Sequence, residues 1–254
     1  MDNDDKPIGT ILNRRDVLKI LGIGSAATLV ASCAPEIVET LSPTSVPPTL
    51  PAAQAIVTVS NSIAIPACVV RPEMTEGPYF VDEMLNRSDI RSDPTDGAFS
   101  QGAPLELTFN VSQVGANGCT ALPNAQVDIW HCDAFGVYSD VENAQGKKFL
   151  RGFQLTDANG VAKFVTIYPG WYPGRTVHIH FKIRVNNYDF TSQLFFDDAF
   201  TDQVYLQDPY NQRGERNTRN ERDGIYGNGG SQLLLNTVQT DTGYAATFDI
   251  GLQI

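Results

Sequence analysis

The sequence predicts an all-β fold, an antiparallel β-sandwich with long irregular loops and little helix. Three observations predict it. Apolar and polar residues alternate over short stretches, the period of two that a half-buried strand requires. Turn residues break those stretches at close intervals. The longest polar segment, residues 197–230, is full of Asp, Asn, Arg and Gly and reads as loop.

The elements follow in order. Residues 71–80 (Arg-Pro-Glu-Met-Thr-Glu-Gly-Pro-Tyr-Phe) are irregular, with turn chemistry at Gly77-Pro78, and residues 82–96 are polar loop. Residues 105–114 alternate cleanly and form a strand, closed by a turn at 115–118. Residues 126–132 form the next, with Val127, Ile129 and His131 on one face and Asp128, Trp130 and Cys132 on the other. Residues 149–156 and 161–167 read as a hairpin about the turn Asp157-Ala158-Asn159-Gly160. Residues 188–196, 232–238 and 244–250 complete the strands.

The remaining strand carries the chemistry. In 177–183, Val177, Ile179, Phe181 and Ile183 alternate with His178 and His180, two of the chain's three histidines. Positions i and i+2 of a strand share a face, about 6.6 Å apart. Both imidazoles therefore project together and can converge on one metal ion, although such pairs also occur on plain sheet surfaces. Upstream lie Tyr168, Trp171 and Tyr172 in a Pro/Gly-rich loop, and then Arg175. Tyr168 and Trp171 serve equally as pocket wall or packing. Tyr138, just past Gly136, adds a second phenol to Tyr172 and the two imidazoles. Phenolate is a hard, anionic donor suited to Fe(III), and two of them offset most of its charge.

Not all of the 254 residues belong to this domain. Residues 1–33 read as an export signal: Arg14-Arg15 is a twin-arginine pattern, and the apolar stretch 20–31 is too short and too rich in Gly and Ala to span a membrane. It ends Val30-Ala31-Ser32-Cys33, which resembles a lipoprotein box and makes Cys33 a lipidation site, the one expected contact with a membrane. The protein is thus expected outside the cytoplasm, lipid-anchored at the cell surface or in the periplasm. Residues 34–57, rich in Pro, Thr, Ser and Ala, form a tether, and residues 58–254 make one domain. The net charge of −11 argues against a nucleic-acid partner. In an oxidising compartment Cys68 and Cys119 are expected to pair, leaving Cys132, inside a strand pattern, as a buried free thiol.

At these residues the chain resembles the intradiol ring-cleavage dioxygenases, which include the catechol and protocatechuate dioxygenases. The matching blocks are Thr75-Glu76-Gly77-Pro78-Tyr79, residues 127–131 through Gly136-Val137-Tyr138-Ser139, Arg151-Gly152-Phe153-Gln154, residues 169–180 and Gln193-Leu194-Phe195-Phe196. The likeness is greatest to the exported, single-domain branch. It implies Fe(III) held by Tyr138, Tyr172, His178 and His180, with Tyr172 leaving when substrate chelates. It implies that Arg175 stabilises negative charge on the substrate ring and that Gln193 stands near substrate and O2. The reaction implied is O2-dependent cleavage of a catechol between its hydroxyl-bearing carbons, giving a muconate-type diacid. The family carries Arg-Pro-Ala before its histidine pair, whereas this chain has Arg175-Thr176-Val177.

Two rivals remain. The strand motifs also resemble prealbumin-like, non-catalytic binding modules of bacterial surfaces, which have no use for the four-residue donor set. A zinc hydrolase would need ligands other than two tyrosines. His131, well before Tyr138, is read as structural. The identity of the catechol and the oligomeric state are not legible.

Overall fold

The computed structural model describes residues 68–254; the signal, the tether and Cys33 lie outside the described residues. Among the described residues nine strands form two packed sheets. One contains β1 (Pro104–Gly115), β2 (Gly118–Ala121), β5 (Val161–Ile167), β8 (Val238–Thr240) and β9 (Gly243–Leu252). The other has the order β4 (Arg151–Leu155), β3 (Gln126–Trp130), β6 (His178–Val185), β7 (Tyr188–Phe195). Every pairing is antiparallel except β1 with β9.

The core lies between the sheets and follows from the alternation. Leu105, Leu107, Phe109 and Val111 point inward from β1, and Ile179, Phe181 and Ile183 from β6. Phe109 sits 5.4 Å from Phe181 and 5.8 Å from Phe248, ring centre to ring centre. Burying side chains of this size contributes about 1.5–3 kcal/mol each. It also commits the opposite face of β6, with both histidines, to the far side of its sheet.

Two sequence expectations are corrected. Residues 149–156 and 161–167 are not hairpin partners. β4 pairs with β3, while β5 runs along β1 from Pro104↔Ile167 to Asn110↔Val161. The Asp157 turn instead carries the chain between sheets: the Asp157 carboxylate accepts from the Asn159 and Val161 amides, and Gly160 (φ +75) passes so close to β1 that a Cβ there would lie 2.2 Å from the Val111 carbonyl. Residues 232–238 are mostly not strand, because a 3-10 turn (Gly230–Leu233) occupies their start. The turn expected at 115–118 is present, with Gly115 opposite Gly118, and it leads straight into β2. Residues 197–230 hold one short helix, α1 (Asp198–Val204), capped by the Asp197 carboxylate, and otherwise 3-10 turns and loop.

Cys68 and Cys119 form the expected disulfide and Cys132 is a buried free thiol. The disulfide fastens the start of an arm, residues 68–80, to β2. The arm continues through hydrogen bonds from Gly251 N to Val69 O (2.7 Å) and from Met74 N to Thr191 O (3.0 Å), which bring it along β7 toward the histidines.

Candidate active site

The sheet register builds one side of the site. Across the outer face run Arg151, Trp130, His180 and Gln193, each paired with the next in the ladder. The Trp130 ring stacks on His180, centroids 5.0 Å apart and planes 10° apart. Gly77 of the arm covers the other edge: a Cβ there would lie 3.3 Å from His180 Cε1.

Two loops bring the phenols. Asp133 accepts the Phe135 and Val137 amides on its carboxylate, folding the turn that ends in Tyr138. Its carbonyl accepts from Gly136 and from Gly170, which belongs to the Tyr172 loop. The two loops touch through glycines. A Cβ on Gly136 (φ +81) would lie 2.2 Å from the Trp171 carbonyl, and one on Gly170 would lie 2.4 Å from that of Asp133. Gly136→Ala should therefore destabilise the domain by about 2–3 kcal/mol and separate the tyrosines. Urea unfolding and iron retention measure the two effects.

Four donor atoms converge. His178 Nε2 lies 3.0 Å from His180 Nε2, 3.3 Å from the Tyr138 hydroxyl and 3.2 Å from the Tyr172 hydroxyl. His178 Nδ1 donates to the Thr176 carbonyl (2.7 Å), which leaves the Nε2 lone pair facing the other donors. Burial, helped by the Arg175 charge, holds both imidazoles neutral far below the usual histidine range. Burial also pushes both phenols up. Phenolates here need a strong compensating cation, and two phenols with two neutral imidazoles are a donor set that fits Fe(III). Among the described residues no group of three His, Cys, Asp or Glu side chains could hold a metal, so a zinc-type centre lacks its ligands.

Arg175 closes the site. Its guanidinium donates to Asp223 (2.9 Å) and Gln193 Oε1 (2.6 Å) and reaches to 3.5 Å from the Tyr172 hydroxyl. Burial alone would lower its pKa, but Tyr172 and Asp223 outweigh it and hold the pKa above the ordinary value. Gln193, fully buried, donates to the Thr75 carbonyl (2.9 Å), tying Arg175 to the arm. Thr176, where the family has proline, donates its amide to Asp223 (2.7 Å) and its hydroxyl to Asn220 (2.6 Å). A proline has no N–H to give, so this departure is matched by a carboxylate that holds both Arg175 and the backbone beside it.

The sequence reading thus names six residues that the fold brings together: Tyr138, Tyr172, Arg175, His178, His180 and Gln193. It leaves Tyr168 and Trp171 without roles. Tyr168 is core, bonded to Thr201 (2.7 Å), and the Trp171 carbonyl and ring receive Arg213. It misses Asp223, Asp133 and the packing roles of Trp130 and Gly77. Only the resemblance blocks around Gly77 and Trp130 carried any signal of them.

His131 stands apart from the donors. Its Nδ1 donates to the Cys132 carbonyl (2.8 Å) and its Nε2 accepts from Thr166 (2.7 Å), joining the end of β3 to β5. Burial lowers its pKa to about 4. The folded pKa lies below the unfolded value near 6.5, so the unfolded chain binds the proton more readily between the two. Stability should fall as pH drops from about 6.5 to 4, by about 3 kcal/mol from His131 alone. Urea midpoints of iron-free protein across that range check it, and a flat profile would contradict it.

A family model described as "Dioxygenase" matches residues 75–221. The hydroxyquinol 1,2-dioxygenase of Corynebacterium glutamicum is 35% identical over 97 residues, 38% of this chain and 30% of that protein, so less than a third of the curated relative is spanned. An intradiol ring-cleavage dioxygenase structure from Tetranychus urticae is 34% identical with a TM-score of 0.64, covering 74% of this chain and 94% of that one. The dioxygenase domain of a carbohydrate-binding fusion protein from Streptomyces sp. SirexAA-E is 28% identical, with a TM-score of 0.53, covering 73% and 99%.

Proposed function

This chain belongs to the intradiol ring-cleavage dioxygenase family, and on that premise we propose that it is a non-haem iron dioxygenase acting on a catechol. One catechol and one O2 give one muconate-type diacid, both oxygen atoms entering the product. The observation that carries this reading is the convergence of three donors within 3.3 Å of His178 Nε2.

Tyr138, Tyr172, His178 and His180 would hold Fe(III). The bound metal would supply the charge that draws in a catechol dianion and opens its ring to O2. The protein does the rest. Tyr172 is the less buried of the two phenols and stands beside Arg175. As a phenolate, the form that burial disfavours, its oxygen would be a ready acceptor for a catechol hydroxyl proton. Arg175 sets a fixed positive charge against the ring, oriented by Asp223 and Gln193. Trp130 and Gly77 hold the His180 ring and exclude water from it.

The visible spectrum of iron-loaded protein, before and after catechol without oxygen, tests this. A broad tyrosinate-to-iron band that shifts with catechol, followed by oxygen uptake and a diacid product, supports it. Protein that stays colourless after reconstitution would sink it.

The proposal includes export through the twin-arginine signal and lipid attachment at Cys33. The disulfide supports an oxidising compartment. Replacing Arg14 and Arg15 with lysine should leave the protein in the cytoplasm, as fractionation and immunoblotting would read. Unchanged export would overturn that part.

A further inference from the structure

Resting on the ring-cleavage reading, we infer that Glu142 acts through Tyr79 to select catechols that carry no acidic ring substituent. The Tyr79 ring stacks on Tyr138 at 4.6 Å and meets Tyr172 edge-on at 6.2 Å, so it walls the donor cluster. Its hydroxyl donates to Glu142 Oε1 (3.1 Å), and its carbonyl is pinned by Arg151 (2.7 Å). The carboxylate thus stands one ring from both phenols, on an exposed residue.

The backbone holds it there at a cost. Asp140 (φ +57) and Glu142 (φ +48) are left-handed without being glycine, and such residues cluster where a position is functionally fixed. The Asp140 carboxylate accepts the Gly146 amide (2.7 Å), and Ala144 donates to the Val141 carbonyl (2.9 Å), closing the turn.

None of the nearby cations contacts Glu142. Arg175 faces the substrate ring and pairs with Asp223, Lys148 pairs with Glu83, Arg213 lies 4.4 Å over Trp171, and Arg151 donates to Ser139 and to the Tyr79 carbonyl. None of the ion pairs among the described residues includes Glu142. A substrate carboxylate on the Glu142 side of the ring would meet a negative charge that no cation among the described residues pairs with. An uncharged ring would not.

The test compares catechol with 3,4-dihydroxybenzoate in iron-loaded full chain, as kcat/KM and as anaerobic dissociation constants. Glu142→Gln keeps the shape and an acceptor for Tyr79 and removes only the charge. It should raise the acid-to-catechol ratio about three- to tenfold, the size expected for a screened pair of like charges near a surface. Glu142→Asp should keep the wild-type ratio within about twofold, and added salt should raise the ratio in wild type alone. An unchanged ratio in Glu142→Gln, or wild-type preference for the acid, would overturn the inference while leaving ring cleavage standing. If wild type cleaves neither compound, the ring-cleavage reading falls and this one falls with it.

Discussion

Replacing Arg175 with methionine will lower kcat for ring cleavage by about 10²–10³-fold, the range found when a preorganised charge is removed from a water-poor site. The guanidinium is fixed by two different partners, Asp223 at Nε and Gln193 at a terminal nitrogen, while its other terminal nitrogen faces Tyr172 and His178. Only a planar fork satisfies all of these at once. Lysine, a single point of charge, can reach one partner and should recover less than about a tenth of the lost rate. Fold and iron content should survive, because the Asp223 carboxylate keeps three backbone donors: Thr176, Ile225 and Tyr226. Steady-state rates normalised to bound iron measure the effect. A variant with wild-type kcat would remove Arg175 from the reaction.

What the sequence shows of this site depends on how local each signal is. His178 and His180 are legible because a two-residue period is a property of one strand, and β6 forms where the alternation puts it. Tyr138 and Tyr172 lie in loops with no periodicity, so they enter through donor chemistry, as phenols that would complete the histidine pair, and through resemblance to a family. Asp223 has neither signal. It is one acid in a polar stretch, 48 residues from Arg175, and its partner is set by how the loop packs. The sheets divide in the same way. Alternation identifies β4 and β5 as strands but says nothing of which neighbour each will take, and the Asp157 turn that resembles a hairpin is a crossing between sheets. Thr176 is the subtler case. From sequence it reads as a missing proline, whereas in the fold its amide and hydroxyl do work that proline could not.

Removing the disulfide by Cys119→Ser should cost about 4 kcal/mol, the chain-entropy estimate for the 51-residue separation it closes. Yet the domain should still fold. On the export route proposed above, the chain folds in a reducing compartment before this bond forms. The two sheets and their shared core contain neither cysteine as a central element, since Cys119 lies on the four-residue β2 and Cys68 on the arm. The damage should therefore be uneven. Freed at its start, the arm keeps its bonds to β9 and β7 but loses its anchor to β2, and Gly77 and Tyr79 are carried on that arm. Hydrogen exchange should quicken in residues 69–80 before it does in β1, β6 or β9. A urea titration should show one cooperative transition at a lower midpoint. Chain that is unfolded without the disulfide would contradict folding before export, and unchanged exchange in the arm would show that β7, rather than the disulfide, holds the lid of the site in place.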